Sequence, residues 1–123
     1  MGNINPSRSA VSAYGGEEAQ LVTWANVAPG DVCVPVKLPE FDPVAFQAEG
    51  TIGGATVTLA GSLDGSNYHT LNDKTGAAIS LTAAGMKSVE DHPMYCQPVL
   101  TNGTGSSMTF SLLMVRRATH VRG

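Results

Sequence analysis

This 123-residue chain has little charge, few aromatic residues and almost no cysteine, and each shortage closes off a class of function. Lys, Arg, Asp and Glu make up only 14% of it, and the formal net charge is −3. Such a chain has no basic field to drive counterion-release binding, so no nucleic-acid partner is expected. Its two cysteines, Cys33 and Cys96, stand far apart with no Cys-x-x-Cys or Cys/His ligand spacing, so no metal site is expected. Each lies in an apolar, strand-like run; two buried free thiols are expected, with a disulfide as the alternative. No apolar run approaches the roughly 18 residues of a membrane span, and the opening residues lack the basic-then-apolar order of a signal peptide. Neither a membrane nor export by that route is expected. Pro6 stands where myristoylation of Gly2 would need Ser or Thr.

Helix-length amphipathic windows are missing too, as are heptads and repeats of fixed period. What the chain does have, from Gln20 onward, is short β-branched and apolar runs divided by Gly, Pro, Asn and Asp at intervals of about 8–12 residues. Strands are predicted at Leu21 to Trp24, Val32 to Val36, Val44 to Ile52, Ala55 to Leu63, Asn67 to Leu71, Ala78 to Leu81, Met94 to Leu100 and Met108 to Arg117. The clearest is Ala55 to Leu63, where Ala55, Val57, Leu59, Gly61 and Leu63 share one face and Thr56, Thr58 and Ser62 the other. Asp64-Gly65 then signals a hairpin. Ala28 to Asp31, Phe41-Asp42-Pro43, Gly53-Gly54, Asn72 to Gly76, Ala83 to Gly85 and Asn102 to Gly105 read as turns or loops. Met108 to Arg117 is apolar on both faces near its middle, as expected of a strand that is central or covered by another subunit. The expected fold is all-β: a single β-sandwich or jelly-roll-like domain over residues 17–123, preceded by a flexible N-terminal arm over 1–16. The arm is rich in Ser, Asn, Gly and Ala and shows no sustained period; fraying and lying across a neighbouring subunit remain equally open.

Residues that could carry chemistry do not assemble in the sequence. His69, His92 and His120 have no partner at ligand spacing, and Asp64-Gly65-Ser66-Asn67 lacks the order of a calcium loop. Glu90-Asp91-His92 puts an acid beside an imidazole, but neighbours along a strand point to opposite faces. No motif of acyl transfer, nucleotide binding or metalloprotease chemistry occurs. No catalytic residue, cofactor or enzymatic activity is therefore expected. Trp24 is expected in the core rather than in a ligand-stacking platform. After Asp91 there is no acid, while Arg116, Arg117 and Arg122 cluster near the end. A solvated end is the plainer reading of that cluster, and a grip on an acidic neighbour is the sharper one.

The segment from Thr56 to Leu71, with the pattern GSxDGxNY followed by L-x-D-x-x-G through Asp73 and Gly76, resembles small virion structural proteins of tailed bacteriophages. Leu81 to Gly85, Pro93-Met94-Tyr95, Pro98 and a last strand ending in Arg116-Arg117 continue the resemblance, which covers roughly half the chain. It implies a capsid decoration, or cement, protein: a trimer on the outer surface of the virion, made in the host cytoplasm, that clamps neighbouring major capsid subunits. Asn3, Ile4, Asn5, Arg8, Val11, Tyr14, Arg116 and Arg117 are the candidate contacts to the major capsid protein or to a second copy of the chain. The alternatives are a head–tail adaptor or tail structural protein, and a carbohydrate-binding module stacking sugars on Trp24, Tyr68 and Tyr95.

Overall fold

The computed structural model describes residues 3–12, 18–38, 41–103 and 107–116, with side chains omitted at 11, 12 and 18. Among these residues the chain is all-β. Its twelve strands are β1 (Asn3–Ile4), β2 (Ser7–Ser12), β3 (Glu18–Val27), β4 (Val32–Cys33), β5 (Val36–Lys37), β6 (Phe41–Thr51), β7 (Thr56–Ser62), β8 (His69–Thr70), β9 (Ser80–Leu81), β10 (Gly85–Ser88), β11 (Tyr95–Thr101) and β12 (Ser107–Arg116). One antiparallel sheet has the order β10-β6-β12-β3-β2. A second runs β5-β11-β7-β8, with β9 also paired to β7. The short parallel pair β1-β4 completes the set.

Alternation decides which face of each strand is buried. In β12, Met108, Phe110, Leu112 and Met114 are buried, while the residues between them are partly exposed. In β7 and β11, Val57, Leu59, Cys96 and Leu100 are buried. The inner residues of both large sheets form one apolar cluster that also holds Trp24, Phe46, Leu38 and Ile79. Each such fully buried side chain contributes about 1.5–3 kcal/mol over an exposed one. Phe46 and Phe110 meet with ring centroids 5.9 Å apart. Trp24 is fully buried, and its indole N–H donates to the Val34 carbonyl at 2.8 Å, so its one polar atom is satisfied. Both thiols are free and buried, as the apolar runs around them predict.

β12 is central, between β6 and β3. Both of its pairings carry an irregularity. Between the Met108↔Val27 and Phe110↔Trp24 pairs, β3 sets two residues, Ala25 and Asn26, against the single Thr109 of β12, with Asn26 at φ 58. Opposite Leu113 and Met114, β6 holds Val44 as the extra residue, and Val44 is exposed. The second bulge accommodates Pro43 within a long strand, because the ladder is already interrupted beside it. Phe41-Asp42-Pro43 is therefore the start of β6 and not the turn that its Asp-Pro pair predicts.

The N-terminal segment differs most from expectation. In place of a free arm over residues 1–16, β1 pairs with β4, and β2 pairs with β3 from Ser7↔Thr23 to Ser12↔Glu18. Ile4 packs against the core cluster, and its carbonyl accepts from Val34 N–H at 2.9 Å. Ser7, Arg8, Ser9 and Ala10 are all exposed, so over these four residues the edge strand buries neither face. With nothing to bury on either side, its sequence carries no period of 2.

Candidate functional site

The most sharply built surface feature lies where the chain crosses from the first large sheet to the second. Val89 N–H donates to the Val44 carbonyl at 2.9 Å and Glu90 N–H to the Asn72 carbonyl at 2.9 Å. Asp91 returns a carboxylate oxygen to Asn72 N–H at 2.7 Å, and Met94 N–H bonds the Ser62 carbonyl at 3.0 Å. These bonds hold residues 89–94 beside the end of β7. The facing wall is the loop from Ser62 to His69.

Asp64 organises that loop. One carboxylate oxygen accepts from Ser66 N–H and Asn67 N–H at 2.9 Å and from the Ser62 hydroxyl at 2.8 Å; the other accepts from Asn67 Nδ2 at 2.9 Å. These bonds, led by the Asn67 backbone N–H, hold the carboxyl well below the usual carboxylate range. Gly65 takes φ 81, and its Cα faces the Tyr95 ring closely enough that a side chain there would stand 3.3 Å from it. Lys37 Nζ lies 5.8 Å from the same ring. The Tyr68 hydroxyl is pushed up by burial, then by Tyr95, Asp64 and Cys96.

Between the two walls is an open cleft of about 370 Å³, near the small end of the range for ligand clefts. Gly61, Leu71 and Pro93 give it an apolar floor, and Leu63, 76% exposed, stands on its rim. A Cβ on Gly61 would lie 2.7 Å from both Leu71 Cδ2 and Pro93 Cγ, so glycine is what permits this floor to pack. Asp64, Asp91, His69 and His92 supply the polar lining, and no Lys or Arg is among the lining residues. His92 Nδ1 is 3.4 Å from Asp42 Oδ1.

This arrangement separates the acid–histidine run that the sequence brings together. Glu90 pairs with Lys74 at 3.4 Å, Asp91 bonds Asn72 and His92 faces Asp42. Three consecutive side chains serve three different partners, so they do not form an acid/base pair. No group of three or more His, Cys, Asp or Glu residues placed to hold a metal ion occurs among the described residues. Trp24 is unavailable for stacking sugars because the core encloses it, whereas Tyr68 and Tyr95 keep partial exposure.

The candidate contact residues fall in two places. Asn3 and Asn5 are exposed and Ile4 half-buried beside β4, while Arg8 is exposed with Nη2 3.5 Å from the Lys37 carbonyl. Arg116 is exposed at the end of β12, its guanidinium 5.3 Å from the Phe41 ring. The register runs Val11↔Ala19↔Val115↔Asp42, so the Val11 backbone and Arg116 belong to the same end of the first sheet. Tyr14 and Arg117 lie outside the described residues. Sequence reasoning found Asp64 as a turn residue but missed the cleft, because Gly61, Leu71 and Pro93 meet only through tertiary packing. No known protein family, curated protein or solved structure matches the chain.

Proposed function

We propose that this chain is a β-sandwich structural protein of a tailed-bacteriophage virion, a homotrimeric decoration protein that binds the major capsid lattice and stabilises it without catalysis. The observation that carries the reading is β2. It is hydrogen-bonded to β3 along one side, and Ser7 to Ala10 are exposed on both faces. An edge strand of small, mostly uncharged residues can lie flat against another subunit and pair with it at little steric cost. Two further features support it. The Thr56 to Leu71 segment that resembles phage virion proteins folds as one closed hairpin unit, from β7 through the Asp64 turn to β8. The two large sheets share a single core, which suits a sandwich whose outer surfaces remain free for assembly. Stabilisation would follow from mass action: a ligand that binds only the assembled lattice raises the free energy needed to take it apart.

The test is co-sedimentation of the purified chain with heads assembled from the cognate major capsid protein, with copy number measured. Saturation at a fixed ratio to the major capsid protein, with a raised temperature of capsid disruption, is the expected result. A single ring of copies per particle would instead support the head–tail adaptor, and no binding would remove the reading. Removing residues 1–12 takes away β1 and β2 and is expected to weaken occupancy; unchanged occupancy would exclude β2 as the contact.

A further inference from the structure

We infer that the free edge of β2, with Arg8 and Lys37 beside it, takes an extended protein segment bearing an Asp or Glu, which pairs with β2 as a further strand of the first sheet. The inference rests on the proposed function in one respect, that this segment belongs to the major capsid protein. Arg8 pairs with Val22, whose side chain lies in the core, so Arg8 stands on the face of β2 that turns toward the second sheet. From there its guanidinium reaches the Lys37 carbonyl at 3.5 Å. Lys37 belongs to β5, the edge strand of the second sheet, so β2 and β5 are the two edges of one side of the sandwich. Ala10 shares the face of Arg8, and both are exposed, so the surface beneath this part of β2 is open.

Charge selects the occupant. Lys74 pairs with Glu90 and Lys87 with Asp73, whereas Arg8 and Lys37 form no ion pair among the described residues. Lys37 Nζ lies over the Tyr95 ring instead, and the single long bond made by Arg8 leaves most of its guanidinium donors open. Two uncompensated cations at one edge of a chain with net charge −3 make a local positive site. A strand added antiparallel to β2 puts the side chain opposite Arg8 on the same face, with Cβ atoms about 4.5–5.5 Å apart. A carboxylate at that position meets the guanidinium fork and lies on the Lys37 side of the edge. The backbone ladder then supplies affinity, and the charge pairing fixes the register and rejects strands that carry Lys or Arg there. A second copy of the chain does not meet this requirement edge to edge. None of the edge strands β2, β5, β8 and β10 contains an Asp or Glu, so joining them would leave Arg8 and Lys37 without a counter-charge.

The test uses the full-length chain bound to heads assembled from the cognate major capsid protein. A water-soluble carbodiimide joins an amine to a carboxylate in direct contact, and mass spectrometry is expected to find Lys37 of the wild-type chain linked to an Asp or Glu of the major capsid protein. Lys37→Arg should abolish that link. Arg8→Glu should lower occupancy on heads by at least about tenfold, while Lys74→Glu, which reverses an exposed charge elsewhere, should leave it unchanged. The thermal midpoint of Arg8→Glu checks that this exposed substitution leaves the fold intact, and the Lys37 cross-link is read on the wild-type chain independently of it. Unchanged occupancy of Arg8→Glu would overturn the inference, as would an equal loss with Lys74→Glu, which would reveal an effect of net charge alone. A Lys37 linked to a second copy of this chain, or to no carboxylate, would overturn it as well. In each of these cases the wild-type chain still binds heads and the decoration reading stands; a wild-type chain that does not bind removes both.

Discussion

At single positions, local hydrogen bonding and close contact account for most of what can be tested. The bonds around Asp64 favour its ionised form, so its folded-state pKa lies below the unfolded value of about 3.9. Its stabilising effect is complete at neutral pH and is lost as pH falls below about 4 toward the folded-state value. Asp64→Ala should lower the thermal midpoint at pH 7, and the gap to wild type should shrink between about pH 4 and 2; a gap independent of pH would show that the charge plays no part. Gly61→Ala forces a methyl group against Leu71 and Pro93 and should destabilise the fold by about 1–3 kcal/mol in urea titrations. Burial pushes both thiols up to about 12, with Asp31 adding to the effect at Cys33. Neither should react with a thiol reagent at pH 8 until the protein unfolds, when both should. The Asp64 turn was legible in the sequence because its partners lie within three residues. The role of Gly61 was not, since the atoms that crowd it come from elsewhere in the chain.

Strands show the same division between local and distant causes. β7 and β12 were readable because burial on one face imposes alternation. β2 and β10 were not. The first buries neither face from Ser7 to Ala10, and Gly85-Met86-Lys87-Ser88 alternates only between partial and full exposure. Both are edge strands, recruited by the ladders of β3 and β6 rather than by their own side chains. A strand held mainly by backbone bonds opens more easily than one whose side chains fill a core. The β2 amides should therefore exchange with solvent at least about 100-fold faster than those of β12; equal protection would show that β2 is held by more than its ladder. The bulges have a similar origin. Asn26 sits at φ 58, so Asn26→Val should cost about 1–2 kcal/mol while Asn26→Gly should be tolerated.

Across the whole molecule, the largest pairings are between distant segments: β6 with β12, β3 with β12 and β7 with β11, all antiparallel. Chains dominated by such contacts fold in milliseconds to seconds, and refolding by stopped flow should fall in that range rather than in microseconds. The same long-range packing brings Asp91 and Pro93 beside the hairpin of β7 and β8, and so creates the cleft. By itself the sequence determined the all-β class, the buried Trp24 and thiols, the turn chemistry at Ala28 to Asp31 and Asp64-Gly65, and the absence of a basic field. Each of these depends on composition, on period 2 or on bonds within a few residues. Tertiary structure alone decided that the N-terminal segment is strand, that Glu90, Asp91 and His92 part company, and that two carboxylates share an apolar cleft. Those outcomes depend on which distant backbone offers a free edge and which side chains meet across sheets, quantities that no short window of sequence contains.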